Sequence, residues 1–170
     1  DLALDGKPLG VTPDAILAQV KQLARESRKQ IDLNVIIPNY RAFLEATLQT
    51  GGLGEFNQKV LNAALDLLNA HELDENELER AQRGWASPSD HKQFVQQQEA
   101  RANKILSNSG IMDRLAIPNP EYYVHVRSYH EEHALLAPFF RSFFVLSAIV
   151  YKKKERSEIE QGLELFKAIE

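Results

Sequence analysis

Three of the five histidines fall within nine residues, as His125, His130 and His133, and Glu121, Glu131 and Glu132 lie among them. Imidazole and carboxylate are the side chains that ligate divalent metals and move protons near neutral pH, so this stretch is where metal or acid–base chemistry is expected first. The spacing is not that of a zincin, which needs histidines four apart with a glutamate after the first; here the pair His130 and His133 is three apart. On a helix, at about 100° per residue, His130 and His133 stand about 60° apart and can share an ion, while His125 lies about 140° from His130. A strand would instead turn Tyr123, His125, Arg127 and Tyr129 to one side. The metal reading therefore places a divalent ion on His130, His133 and Glu131, with a further ligand drawn from another helix and a glutamate as base for a bound water. The competing reading is a solvated stretch whose histidines stack among Tyr122, Tyr123 and Tyr129.

Other routes to catalysis find less. With no cysteine in the chain, thiol nucleophiles, cysteine-ligated zinc and iron–sulfur clusters are excluded. There is no G-x-S-x-G motif for a serine nucleophile. Gly51-Gly52-Leu53-Gly54 could present amides to an anion, but it lacks the lysine and preceding strand of a P-loop and reads as a helix–helix turn. The formal charge of −4 gives no global pull toward nucleic acid.

The elements that would carry these residues read as helices. Thr12-Pro13-Asp14 combines a cap, a proline at the first helical position and an acid in the first turn. Ile16, Val20, Leu23 and Ala24 then recur at helical spacing, with Lys21, Arg25, Arg28 and Lys29 opposite; the usual role of such a basic stripe is the solvated side of a helix. Residues 33–38 read as a brief strand or buried turn closed by Pro38. Helices are expected over 39–50, ended by Gly51-Gly52, over 54–70, and over 74–85. A long helix from Ser87-Pro88 to about Ser107 has a thin apolar stripe, and its glutamines (Gln93, Gln96, Gln97, Gln98) suit the surface or a polar partner.

Ile117-Pro118-Asn119-Pro120 marks a change of texture. Beyond it, residues 121–129 and 142–153 fit helix or a minor β-hairpin equally well. Residues 134–151 are the most apolar segment, long enough to span a bilayer at 1.5 Å per residue. Arg141 near the middle argues against insertion and for a buried core element, with Phe143, Leu146 and Val150 almost fully enclosed. Ser157 and Glu160 form a capping box for a final helix.

The expectation is thus a mostly α, single helical domain over 1–170 of about six to seven helices, with an extended arm over 1–12. Abundant amphipathic helices without a convergent catalytic set favour a non-enzymatic module that binds another protein, of the inhibitor, immunity or assembly-subunit type. Trp85, Gln93 and Gln97 would supply its contact surface, and neither nucleic acid nor a membrane span is expected. The alternatives are a metal-dependent enzyme on His125, His130 and His133, or an apolar-ligand site around residues 139–144. A start at Asp1 and the lack of cysteine favour a periplasmic or exported protein, with the cytoplasm as alternative.

Overall fold

A computed structural model describes residues 13–70, 88–126, 135–151 and 155–169. The fold is mostly α, and no strand occurs among the described residues. The helices are α1 (Pro13–Ile31), α2 (Ile37–Gln49), α3 (Glu55–Asn69), α4 (Pro88–Asn108), the short α5 (Pro120–Val124), α6 (Leu136–Ser147) and α7 (Arg156–Ile169). The cap at Thr12, the arm over 1–12 and the charged helix over 74–85 lie outside the described residues.

The segment 33–38 is neither strand nor turn. Asp32–Ile36 forms a π-helical turn that joins α1 to α2 without a break, Ile37 donating its amide to the Asp32 carbonyl. Pro38 supplies the reason. Its ring has no N–H and would press on the carbonyl four residues earlier, and widening the preceding turn relieves that clash. The Asn39 side-chain amide then bonds the Val35 carbonyl at 2.8 Å.

Gly51 and Gly52 stop α2 at φ of +73° and +77°, the left-handed region that favours glycine. α3 is the centre of the molecule. One side of it (Val60, Ala63, Leu67) packs with Ala102, Leu106, Ile111, Tyr123 and Val145. The other (Leu61, Ala64, Leu68) packs with Ile37, Leu44, Leu136 and Phe139. Where α6 crosses α3, the residues are small. The Ser142 hydroxyl donates to the Ala64 carbonyl at 2.6 Å, which requires the two backbones to approach closely. That hydroxyl has one proton, already committed, so Tyr40 must be the donor in the 3.1 Å contact between the two oxygens. α2, α6 and α3 are thereby tied in series.

The apolar segment 134–151 does not act as one element. α6 ends at Ser147, and Ile149 pairs with Leu115 in an isolated antiparallel bridge. The residues that a hairpin would need are helical instead, over 120–124 and 142–147, because Asn119 caps α5 through the Glu121 amide and Pro120 starts it. No helix among the described residues is long and apolar enough to cross a membrane. The expected core residues also need correction. Phe143 is 55% exposed and Val150 is exposed, and Leu146 is only partly buried. α6 turns Pro138, Arg141, Ser142 and Val145 inward, at i, i+3, i+4 and i+7, which leaves Phe143 on the far side.

α7 begins at Arg156, so Ser157 lies inside its first turn rather than at the cap, and Glu160 pairs with Arg156 at 2.9 Å instead of reaching back. A cluster of specific contacts docks this helix. The Arg114 guanidinium carbon lies 4.4 Å from the Phe56 ring centroid and 5.8 Å from that of Tyr151. Arg114 also pairs with the buried Glu158 carboxylate at 3.2 Å. Asn57, fully buried, donates to the Gln161 carbonyl at 2.7 Å and accepts from the Tyr151 hydroxyl at 2.8 Å.

The corrected phase of α6 has a measurable consequence. Leu67→Ala should cost about 2–5 kcal/mol in urea unfolding, because it empties space at the centre of α3. Phe143→Ala should cost under about 1 kcal/mol, as a half-exposed ring with neighbours on one side only. Equal losses for the two would contradict this packing.

Candidate functional site

Of the residues expected to hold a metal, only His125 is among those described; His130, Glu131 and His133 lie outside them, as does Trp85. His125 follows α5, is exposed, and sets its Nδ1 2.9 Å from a Glu99 carboxylate oxygen on α4. No group of three metal-ligating side chains occurs among the described residues. Gln93 and Gln97 face solvent on α4. Gln98, by contrast, is buried, and its Oε1 has no hydrogen-bond partner there.

A buried polar seam runs inward from His125. Arg141 of α6 is 2% exposed, and its Nε–H donates to the Val124 carbonyl at 2.8 Å. Its Nη1 is buried without a hydrogen-bond partner. Burial pulls the guanidinium down to about 10, and the Glu99 carboxylate pulls it back up. Glu99 thus stands between an exposed imidazole and a buried cation, and the three tie α4, α5 and α6 together. The aromatic set expected to hold an apolar ligand packs on itself: Tyr40 meets Phe139 and Phe143 edge-on at 5.6 and 6.1 Å.

Two further features bear on anions and small ligands. The amide of Gly54, at the start of α3, donates to the Glu164 carboxylate of α7 at 3.1 Å, so the chain's own acid occupies the spot where an anion was conceivable. Between α3 and α4 lies an open groove of about 410 Å³ lined by Lys59, Asn62, Asp66 and Lys104 over Ala63 and Ile105.

The feature that the sequence disguised is α1. Its apolar residues do not pack inward. Ile16, Leu17, Val20, Leu23 and Ile31 are 51–68% exposed, and Val35 and Ile36 of the π turn continue the exposure. Among the described residues of α1 only Glu26 and Lys29 are half-buried, and Glu26 accepts from Lys29 at 3.1 Å and from the exposed Gln22 at 3.0 Å. On the helical wheel the stripe spans about 120°. Amphipathicity was visible in the sequence, but the apolar side of this helix is not taken into the protein's own core.

No family model, curated protein or solved structure matches this chain.

The buried cation and the buried phenol give opposite pH signatures. Burial pushes Tyr40 up to about 12, so the folded state keeps a proton that the unfolded state loses near 10; that stabilisation is present below pH 10 and lost as pH rises toward 12. Arg141 is depressed, so its folded state sheds a proton that the unfolded state keeps, and its penalty is relieved as pH rises above about 10. In denaturant titrations between about pH 9.5 and 11.5, Arg141→Met should lose stability with pH more steeply than the parent chain, and Tyr40→Phe less steeply. Parallel profiles for all three would show that neither group is held as described.

Proposed function

We propose that the chain is a non-enzymatic helical module that binds another protein through the outward stripe of α1. The observation that carries this reading is the stripe itself. Ile16, Leu17, Val20, Leu23 and Ile31 form a contiguous apolar face in solvent. Soluble monomers rarely leave so large a patch open, and a patch rimmed by charged residues is characteristic of an interaction surface. Lys21 and Arg28 supply that rim on one side, and Gln19, Glu26 and Gln30 on the other. The exposed glutamines Gln93 and Gln97 carry no apolar anchor and take a secondary place.

The geometry suits presentation rather than catalysis. α1 continues through the π turn into α2, so the stripe stands on a rigid helical run of about 50 Å whose far end is locked into the core. Such a surface arrives preorganised, which lowers the entropic cost of association.

A photo-cross-linking amino acid placed singly at Val20 or Leu23 should give a discrete protein adduct in cells that express the full chain, and the same group at Arg25 should not. Absence of any discrete adduct from both stripe positions would overturn the reading.

A further inference from the structure

We propose that α7 is a displaceable strap over a receptor for an acidic helix, and that α7 of a second copy of this chain can take its place. The inference concerns a different surface from the stripe of α1 and does not depend on it.

The strap is held mainly by polar contacts. A surface helix commonly docks by burying an apolar side. Among the described side chains of α7, only that of Glu158 is buried. Ile159 and Leu163 are 45% and 52% exposed, and Leu165 and Ala168 are only partly covered by the core. The anchors are strung along one side of the helix. Glu158 pairs with Arg114 at 3.2 Å, the Gln161 carbonyl accepts from Asn57 at 2.7 Å, and Glu164 accepts from the Gly54 amide at 3.1 Å. Each anchor lies three residues beyond the last, so the set spans about 9 Å along the axis. Gly162 falls among them and weakens the helix's own conformational preference. An element with few buried apolar contacts opens at a lower free energy than the core that carries it.

The surface under α7 is organised by contacts that do not involve α7. Arg114 lies against the Phe56 ring and donates from Nε to the Val150 carbonyl, while the Val150 amide donates to the Arg114 carbonyl. The Tyr151 hydroxyl holds the Asn57 oxygen, which turns the Asn57 amide group toward Gln161. The receptor is therefore a guanidinium over a ring, a side-chain amide and the Gly54 amide. Left unpaired, each of these donors would be costly. Their chemistry selects a helix with two carboxylates six residues apart and a backbone carbonyl between them. α7 is such a helix, and the same helix from a second copy offers identical contacts. Exchange of an identical element is a low-cost route to association.

A synthetic peptide of residues 155–170 supplies the competing helix. The attached α7 competes at an effective concentration on the order of millimolar, so the labelled peptide should bind the parent chain weakly in fluorescence anisotropy. Glu158→Gln in the chain should tighten that binding at least about tenfold, because the strap is loosened while Arg114 remains. The same substitution placed in the peptide should weaken binding at least about tenfold. Glu164→Gln should show the same opposition between chain and peptide. In both chain variants the α3 amides should stay protected from hydrogen exchange while those of α7 exchange faster. No peptide binding to the parent or to either chain variant overturns the proposal. Shifts in the same direction from chain and peptide overturn it too. Loss of α3 protection in both chain variants would make α7 part of the core and overturn it equally.

Discussion

The hydrogen-bonded series from the Tyr40 hydroxyl through Ser142 to the Ala64 carbonyl fixes the rest of the molecule. Helix backbones come close enough for a serine hydroxyl to reach a neighbouring carbonyl only where the intervening side chains are small, and α3 offers Ala63 and Ala64 at that crossing. Once α6 lies against α3 there, Val145 and Phe139 fall on the two sides of α3 and join separate apolar clusters. Tyr40 brings α2 onto the same junction. The same placement sets Arg141, one residue before Ser142, into the interior and forces it to take the Val124 carbonyl as partner. Burial of a guanidinium is costly, and its bond to the backbone offsets only part of that cost.

How much of this was legible in the sequence depends on which signals are local. Pro88 announced the start of α4, and Gly51-Gly52 the end of α2, because caps and breakers act within one turn. The orientation of α6 was not legible. A segment apolar on every side has no phase, and the reading that its aromatic residues face inward misplaced Phe143. Two of its three polar residues, Arg141 and Ser142, go inward because partners on α5 and α3 await them, and those partners are distant in sequence. The π turn was hidden for a related reason: Pro38 signals a break, and a break can be absorbed by widening a helix as well as by ending it. Of the candidate site, the metal residues beyond His125 and the tryptophan fall outside the described residues, so their grouping remains a sequence reading alone.

The C-terminal helix shows the same division. Its acidic first turn was visible, but the role of Glu158 was not. A glutamate at that position ordinarily serves the helix dipole in water. Here it is buried against Arg114, whose guanidinium also lies over Phe56 and Tyr151, so one cation satisfies a carboxylate and two ring faces together. Removing either charge would strand the other in a weakly polar setting, which makes the pair a determinant of how α7 docks as much as a source of stability. Asn57 adds a second constraint on the same helix through the Gln161 carbonyl.

The unbroken helix from Pro13 to Gln49 then acquires a clear logic. It carries two apolar faces that point in nearly opposite directions. Ile37, Tyr40, Leu44 and Thr47 face the body and take part in its central junction. Ile16, Val20, Leu23 and Ile31 stay exposed. A helix whose apolar residues served only its own domain would keep one face throughout, since burial is favourable wherever it is available. The change from exposed to buried apolar residues occurs across the π turn, and upstream of it Glu26 makes polar contacts with Gln22 and Lys29. Nothing in the described body competes for the outer stripe. The half after the π turn is therefore committed to folding, while the half before it keeps its apolar residues exposed.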